Sequence, residues 1–177
     1  MIIFLIGFMG SGKSTLGKRL AHKIDYPFLD MDEAVEKQAD MTIADMFKKK
    51  GEDYFRRKEN EFLQQLDTQQ NLIVATGGGS PCFYNNIEIM NTKGITVYLK
   101  MTPSGLAYRL KQSRGDRPLL ADIGDGDLED YIDNKLKIRE PFYVQSSCII
   151  KGENVKPDHV IDLVFDRQQK KETPCRK

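Results

Sequence analysis

The sequence lacks an excess of charge of either sign. Its 177 residues include 27 Lys and Arg against 26 Asp and Glu, which leaves a formal net charge of +1. A protein that binds nucleic acid or a membrane surface over a broad face usually carries a clear basic excess. The sequence therefore predicts neither kind of partner, and any basic chemistry has to be local.

Cysteine is also scarce. The three cysteines, Cys82, Cys148 and Cys175, are odd in number, lie far apart and lack the spacing of metal ligands. This pattern favours reduced thiols over a disulfide framework, because disulfides persist mainly in oxidising compartments. We therefore expect a cytoplasmic protein.

Long apolar runs are missing as well. The apolar opening MIIFLIGFMG has no basic residue ahead of it and leads directly into a glycine-rich loop. A membrane helix needs about 20 apolar residues, and a signal peptide needs a basic flank. We interpret the opening as a buried strand and expect no membrane association.

Apolar runs alternate with helical patterns along the chain. The predicted strands cover residues 2–6, 26–29, 72–75, 95–99 and 148–150. The predicted helices cover residues 13–24, 33–38, 43–50, 52–66, 84–91, 104–112, 128–137 and 159–165. Several of the strands are apolar throughout, as in strands buried on both faces of a parallel sheet. The alternation predicts an α/β fold with helices layered on a mainly parallel sheet.

Two segments fall outside this alternation. Residues 112–127 are rich in Gly and Asp, and insertions of this length are usually functional or disordered. Residues 169–177 are charged and aperiodic, and we expect them to form a disordered tail. No internal repeat or linker divides the chain, so residues 1–168 are predicted to form one domain.

The stretch GFMGSGKST follows the first predicted strand and precedes a predicted helix. Gly7, Gly12, Lys13 and Ser14 satisfy the phosphate-loop pattern G-x-x-x-x-G-K-[ST]. Glycines let backbone N–H groups face phosphate oxygens, and the helix adds its positive end. Lys13 can reach the outer phosphates, and the Ser14 hydroxyl can bind Mg²⁺. The sequence predicts a nucleoside triphosphate site, with a chance glycine-rich turn as the alternative.

Two acids, Asp30 and Asp32, follow the second predicted strand. Many phosphate-loop proteins hold the metal with an Asp at the end of a later strand, but the third strand here ends in Thr76 and three glycines. Residues two apart on an extended chain point to the same side, so we expect both acids to face one spot at the carboxyl end of the sheet. Asp30 is predicted to support Mg²⁺, and Asp32 to accept a hydrogen bond or the proton of a substrate hydroxyl. The alternative is that one of them caps the following helix.

A helical arginine and a glycine triplet are further candidates. Arg56 lies three residues before Glu59, and exposed pairs of this spacing are common. The functional alternative is that Glu59 orients Arg56, whose planar fork can bind a substrate carboxylate. The run of Gly77, Gly78 and Gly79 favours a tight turn or a close approach of backbone to a ligand over an ordinary loop.

Two more arginines stand out by position. Arg117 lies in segment 112–127, from which an arginine could close over phosphates and stabilise charge during phosphoryl transfer. The alternative for Arg117 is a solvated loop charge. Arg139 lies just before Pro141, near the end of a predicted helix, where by itself it reads as an ordinary C-terminal cation.

Together these motifs resemble shikimate kinase over nearly the whole chain. The carriers, in chain order, are GFMGSGKST, FLDMDEAVE, FRRKE, TGGGSP, RPLL and REPFY. Many nucleotide-binding proteins share the first motif, whereas the set of D-x-D, F-R-x-x-E and G-G-G is far more specific. The resemblance implies a three-layer P-loop kinase fold with a five-stranded parallel sheet and a lid at residues 112–127. It also implies ATP-dependent phosphorylation of the 3-hydroxyl of shikimate, on the route to chorismate and the aromatic amino acids.

The resemblance also implies roles for individual residues. The residues implied for the ATP phosphates are Gly10, Ser11, Gly12, Lys13, Ser14 and Thr15. Those implied for the substrate are Asp32 on its hydroxyls, Arg56 and Arg139 on its carboxylate, and Gly77, Gly78 and Gly79 on its ring hydroxyls. Mg²⁺ would be held by Ser14 and, through water, by Asp30, and Arg117 would reach ATP from the lid. The predicted catalytic residues are Lys13, Asp32 and Arg117.

The adenine side is less well specified. The family often has an arginine several residues before the lid arginine that stacks on the base. The nearest residues here are Arg109 and Lys111, and we assign Lys111 to ATP binding, although Lys stacks less well than Arg.

Other readings of the site and its assembly stay open. One alternative keeps the fold and changes the acceptor to gluconate or a nucleotide. Another is an ATP-binding module that has lost catalysis. No long heptad pattern or exposed apolar stripe calls for a protein partner, so we expect a monomer that binds ATP and shikimate.

Overall fold

The structure, a computed structural model, describes residues 1–112 and 127–172, with side chains as far as residue 166. The strands are β1 (Ile2–Ile6), β2 (Phe28–Asp30), β3 (Leu72–Ala75), β4 (Gly94–Lys100) and β5 (Cys148–Lys151). The helices are α1 (Lys13–Ile24), α2 (Met31–Ala39), α3 (Ile43–Lys50), α4 (Glu52–Gln65), α5 (Asn86–Lys93), α6 (Pro103–Gln112), α7 (Leu128–Tyr143) and α8 (Pro157–Glu172). A 3₁₀ turn, Ser80–Cys82, follows β3.

The five strands form one parallel sheet in the order β2-β3-β1-β4-β5. The predicted α/β class and the five-stranded parallel sheet are therefore confirmed. Because β1 is central and β3 separates it from β2, the chain reverses its direction of winding beside β1. Ligands of open α/β sheets bind at the carboxyl ends of strands near such a reversal.

The sheet is covered on both faces, as a buried parallel sheet requires. Alternate residues of β1 serve different cores: Phe4 packs with residues of α2 to α7, whereas Leu5 packs with residues of α1 and α8. Every residue of β1 is buried, which explains why the strand is apolar throughout. Within residues 1–112 and 127–172, no helix is long and apolar enough to span a membrane.

The predicted bounds of β1, β3, α1 and α3 are correct at both ends. For α3, the residues at both ends explain these bounds. Thr42 caps α3 by accepting a 3.1 Å hydrogen bond from the Asp45 N–H, and Gly51 ends it with φ at +83°.

Two helices, α7 and α8, extend by more than a turn beyond their predicted ends. α7 was expected to stop at residue 137 but runs to Tyr143, through Pro141. Proline removes one helical hydrogen bond, but the end of the helix is still closed, since the Val144 N–H donates to the Glu140 carbonyl at 2.9 Å. Helix α8 reaches Glu172, past the predicted start of the tail, and residues 173–177 lie outside the described residues.

Candidate active site

The phosphate loop joins β1 to α1 and is curled by glycines. Gly7, Gly10 and Gly12 have φ of +141°, +82° and +93°, a region that residues with a Cβ rarely adopt. The Lys13 ammonium is buried and donates to the carbonyls of Gly7 at 2.9 Å and Phe8 at 3.0 Å. The loop therefore holds a cation at its centre, with the first turn of α1 beside it.

Three further residues that were predicted to bind phosphate differ in their exposure to solvent. Ser11 is buried, and its hydroxyl has no hydrogen-bond partner in the described part of the chain. Ser14 and Thr15 lie in the first turn of α1 and are exposed. The free N–H groups of a first helical turn favour bound anions, so the geometry suits a phosphate.

Ser14 lies beside the end of β2. Its hydroxyl donates a 2.7 Å hydrogen bond to Asp30 Oδ2. This meeting depends on a close approach of α1 to the strand: a Cβ on Gly17 would lie 2.5 Å from the ring of Phe28. The predicted meeting of the phosphate loop with the acidic end of β2 is confirmed.

The two acids are not arranged as an extended pair, which corrects the expected geometry. Asp30 is the last strand residue and caps α2, with its Oδ1 accepting from the Asp32 N–H at 3.2 Å. Asp32 is the second residue of α2, since this helix starts at Met31 and not at residue 33. The capping alternative is therefore correct for Asp30, which still offers its other oxygen to Ser14.

The Asp32 carboxylate is largely buried and has charged neighbours. Its Oδ1 is buried and has no hydrogen-bond partner among the described residues. Burial, and after it the Asp30 carboxylate, raise the pKa of Asp32 above its ordinary value, while Lys13 and Arg56 act to lower it. A buried carboxylate oxygen with no hydrogen-bond partner can accept a hydrogen bond from a ligand hydroxyl.

The glycine triplet lets three side chains meet at one place. A Cβ on Gly77 would lie 2.7 Å from Asp32 Oδ1, and a Cβ on Gly79 would lie 2.7 Å from Arg56 Nη2. A Cβ on Gly78 would lie 3.6 Å from Arg139 Nη1 and 3.1 Å from the backbone nitrogen of Met9 in the phosphate loop. A side chain at position 77 or 79 would crowd Asp32 or Arg56, and the triplet joins the predicted acceptor residues to the phosphate loop.

Arg56 is 8% exposed and is held by two carboxylates. Its Nη1 donates to Glu59 Oε2 at 2.7 Å, and its Nε and Nη2 donate to Glu52 Oε1 at 3.0 and 2.9 Å. Arg56 and Glu59 therefore do not form the exposed surface pair that the sequence offered as an alternative. Burial opposes the charge on Arg56, but Glu59 holds the pKa of the guanidinium above its ordinary value; burial raises the pKa of Glu59.

Arg139 projects from within α7, not from its end as the sequence predicted. Its Cζ lies 5.3 Å from the centroid of the Phe8 ring in the phosphate loop. Tyr143, one turn further on, donates its hydroxyl hydrogen to the Gly78 carbonyl, and burial raises the pKa of that hydroxyl. α7 therefore fixes both Arg139 and the middle of the glycine triplet.

Sequence reasoning did not identify Glu52 or Tyr143 as site residues. Glu52 lies four residues before Arg56 on one helical face, and that spacing could have revealed it. For Tyr143 no spacing signal exists, because its contact with Gly78 joins residues 65 positions apart.

Of the two residues that the sequence offered for the adenine, Arg109 contacts the phosphate loop. Its Nη1 donates to the Ser11 carbonyl at 3.2 Å, and its Nη2 donates to the Glu153 carbonyl beyond β5. Lys111, the predicted residue, is exposed in the last turn of α6. Arg117 lies outside the described residues, as does the lid apart from its two end residues, 112 and 127.

The donor set at the Ser14 end fits a magnesium ion bound chiefly through a nucleotide. The described residues contain no cluster of three or more His, Cys, Asp or Glu side chains that could hold a metal by themselves. Ser14 and Asp30 offer hard oxygens, and Mg²⁺ in kinase sites commonly uses one or two such ligands together with substrate phosphates.

A protein-family model and individual relatives match this chain. The shikimate kinase model matches residues 9–169. A shikimate kinase from Bacteroides thetaiotaomicron is 39% identical over 167 residues, which are 94% of this chain and 95% of that protein. One from Phocaeicola vulgatus is 39% identical over 169 residues, 96% of this chain and 97% of its own.

Solved structures agree with these matches. The crystal structure of the Bacteroides thetaiotaomicron shikimate kinase has a TM-score of 0.83 at 37% identity and covers 98% of this chain and 99% of its own. Shikimate kinase from Acinetobacter baumannii, in complex with shikimate, has a TM-score of 0.81 at 30% identity, with 98% and 95% covered. A gluconokinase from Sinorhizobium meliloti, at 16% identity and a TM-score of 0.57, shares the fold alone. This chain belongs to the shikimate kinase family.

Proposed function

We propose that this protein transfers the γ-phosphoryl group of ATP to the 3-hydroxyl of shikimate, with Mg²⁺. One observation carries the proposal. The glycine triplet after β3 brings Asp32, Arg56 and Arg139 together directly beside the phosphate loop. A site with a phosphate cradle on one side and two arginines with a carboxylate on the other suits a small hydroxy acid as acceptor.

At the nucleotide end, we propose that Gly10 to Thr15 hold the ATP phosphates. Lys13 would exchange its contacts with two loop carbonyls for phosphate oxygens and stay within the same loop. Ser14 and Asp30 would hold Mg²⁺, Asp30 acting through water. When bound, Mg²⁺ supplies positive charge that offsets charge on the phosphates.

At the acceptor end, we propose that Arg56 and Arg139 bind the substrate carboxylate. Among the described residues, the Arg56 hydrogen bonds use one N–H on each terminal nitrogen and leave the other available. Two such donors match the two oxygens of a carboxylate. The backbone of Gly77, Gly78 and Gly79 would contact ring hydroxyls, with the Gly78 peptide fixed by Tyr143.

The proposed chemistry depends on position and charge, as phosphoryl transfer generally does. The substrate carboxylate fixes the ring, and Asp32 accepts a hydrogen bond from the reacting hydroxyl and then its proton. Its raised pKa makes Asp32 a stronger base than an exposed carboxylate. Lys13 offsets charge on the transferring group, and Arg117 remains the predicted partner of Lys13 in that role.

For the adenine base, we propose Arg109 in preference to Lys111. The Arg109 guanidinium already bridges the Ser11 carbonyl of the phosphate loop and the Glu153 carbonyl beyond β5. A planar guanidinium also stacks on a base better than an ammonium does.

We also propose a cytoplasmic monomer in which residues 1–168 form one kinase domain with a lid at 112–127. The thiols of Cys82 and Cys148 support a reducing compartment. Burial raises the pKa of Cys82 to about 11, so that thiol is a poor nucleophile.

The competing acceptors are tested with one assay. Purified protein is given ATP and Mg²⁺ with shikimate, gluconate, a nucleoside monophosphate or no acceptor, and ADP release is followed. We expect shikimate to be the one acceptor of these that raises ADP release above the background. Release with gluconate or the nucleotide would transfer the proposal to that acceptor, and ATP binding without release in any mixture would favour a catalytically silent module.

A further inference from the structure

Phe83, just after the glycine triplet, lies against the arginine proposed to bind the acceptor carboxylate. The Cζ atom of Arg56 is 4.3 Å from the centroid of the Phe83 ring, and 5.0 Å from that of Phe55. Cation–π contacts operate within about 6 Å and strengthen when the cation is desolvated. Arg56 is nearly buried, so its contact with Phe83 belongs to the stronger kind.

The Phe83 ring is not part of the hydrophobic core. Its neighbour Cys82 packs against the larger core cluster, but Phe83 joins neither core cluster of the described residues and is itself half-buried. A phenylalanine placed for apolar burial would be expected in one of these clusters. The close neighbour of this ring is instead a charged group of the site.

The backbone around Phe83 is held in place at some cost. Phe83 itself is extended, but Tyr84 has φ of +50°, in the left-handed region that aromatic residues rarely adopt. The buried Asn86 counters this cost, because its Nδ2 donates to the Ser80 carbonyl at 2.8 Å and its Oδ1 accepts from Asn60 Nδ2 at 2.8 Å. Asn60 lies on α4, the helix that also carries Arg56, so this turn is tied to the helix of the arginine.

Each contact of the guanidinium restricts a different motion. Glu52 and Glu59 bind its N–H groups and so limit rotation within the plane. The two glutamates do not by themselves prevent the plane from tilting. An aromatic ring 4.3 Å from Cζ does, since tilting would lose the contact or bring nitrogen atoms into the ring.

We infer that Phe83 is a positioning residue for the acceptor carboxylate: its ring fixes the plane of the Arg56 guanidinium, so that both remaining N–H groups point at the two carboxylate oxygens. The inference rests on the proposed function, because it takes Arg56 as the carboxylate ligand. It adds a residue that none of the sequence motifs contains.

The test compares three variants of the full chain. Phe83→Leu removes the ring and keeps apolar volume, Phe83→Tyr keeps the ring, and Tyr84→Leu removes the neighbouring exposed ring as a matched control. We expect Phe83→Leu to raise the KM for shikimate about three- to tenfold, with kcat within about twofold and the KM for ATP unchanged. Phe83→Tyr and Tyr84→Leu should stay within about twofold of the wild type in every constant.

A second readout separates positioning from a general loss of structure. The carboxamide analogue of shikimate has no charge for Arg56 to bind, so the preference for shikimate over this analogue reports the carboxylate contact. We expect Phe83→Leu to lower that preference by about the same factor as it raises KM. If Phe83→Leu lost activity equally with shikimate and with the carboxamide analogue, the inference would be overturned. An unchanged KM for shikimate in Phe83→Leu would also overturn it, as would a KM raised equally in Phe83→Tyr.

The outcomes also separate this inference from the proposed function. If the proposed function is wrong, the wild-type protein shows no ADP release that depends on shikimate. If only the inference is wrong, the wild type is active, and Phe83→Leu either behaves like it or loses activity equally with shikimate and the carboxamide analogue. If Phe83→Leu does not fold, Phe83→Met is used in its place. If neither variant folds, Phe83 is needed for folding, and its positioning role is overturned.

Discussion

Ser14 and Asp30 are joined by a 2.7 Å hydrogen bond from hydroxyl to carboxylate. This bond connects the first turn of the helix after the phosphate loop with the end of the neighbouring acidic strand. It depends on Gly17, because a larger residue there would collide with Phe28. The nucleotide end of the proposed site is therefore built by contacts between two elements that the chain separates by 16 positions.

Ser14→Ala and Asp30→Asn should each weaken the response to magnesium. We expect each to raise the Mg²⁺ concentration needed for half-maximal ADP release by about tenfold, because both change the immediate surroundings of the ion. In the double variant, this Mg²⁺ concentration should rise by less than the product of the two single effects, since Ser14 and Asp30 share one hydrogen bond. Asp45→Asn, at a surface acid paired with Lys49, serves as the control. An unchanged magnesium requirement in both single variants would argue against this site.

Lys13→Ala should remove most of the turnover. We expect kcat to fall by at least about a hundredfold, because the ammonium offsets charge that develops on the transferring group. Lys18→Ala, at an exposed lysine on the same helix, should keep wild-type kcat. Steady-state ADP release measures both variants, and equal activity in the two would refute the assignment of Lys13.

Asp32→Asn should change the shape of the pH–rate profile as well as its height. Burial and Asp30 raise the pKa of Asp32, so the wild-type rate should decline on the acid side at a pH above the ordinary pKa of an Asp. The amide cannot titrate, and this acid limb should disappear along with most of kcat. Profiles of identical shape that differ only in height would show that Asp32 positions the hydroxyl without taking its proton.

The same substitution should make the fold more stable at neutral pH. A carboxyl whose pKa is higher in the folded protein favours folding below its unfolded pKa, and this contribution is lost as the pH rises through the folded pKa. Asp32→Asn avoids the cost of ionising the buried group, so its unfolding temperature should exceed that of the wild type at neutral pH. The difference should narrow in acid. Thermal unfolding at several pH values tests the sign, and a less stable variant at neutral pH would contradict it.

Arg56→Lys should chiefly weaken binding of the acceptor. A lysine keeps a positive charge beside the buried Glu59 but cannot offer a planar pair of donors. We expect the KM for shikimate to rise about 10- to 100-fold, with a smaller change in kcat. Arg57→Lys is a close control, because Arg57 is the next residue and is exposed. Equal KM values in the two variants would remove Arg56 from the carboxylate site.

Much of the fold could be predicted from the sequence, because its signals are local. The bounds of α3 follow from Thr42 and Gly51, which act through hydrogen bonds within a few residues. The continuation of α7 through Pro141 could not be predicted in the same way. It accompanies a contact between Tyr143 and the glycine triplet, and no pattern within the helix reports a partner so distant in sequence.

The sequence predicted which candidate residues lie near one another better than it predicted their geometry. Asp30 and Asp32 were expected on one extended strand, but the cap formed by Asp30 starts α2 two residues early and turns Asp32 into the helix. The glycine triplet was expected for its backbone, whereas the structure shows that it makes room for Asp32 and Arg56. Such steric reasons become visible only once the elements are packed together.

The measurement that tests the account most directly is phosphorus NMR of the product formed from ATP, Mg²⁺ and shikimate. If the carboxylate is held by Arg56 and Arg139 while Asp32 faces the reacting hydroxyl, the new phosphorus signal should couple to the ring proton at carbon 3. A phosphomonoester on another ring carbon would contradict the proposed orientation of the acceptor. New signals from ADP and inorganic phosphate, with no phosphomonoester signal, would contradict the transfer itself.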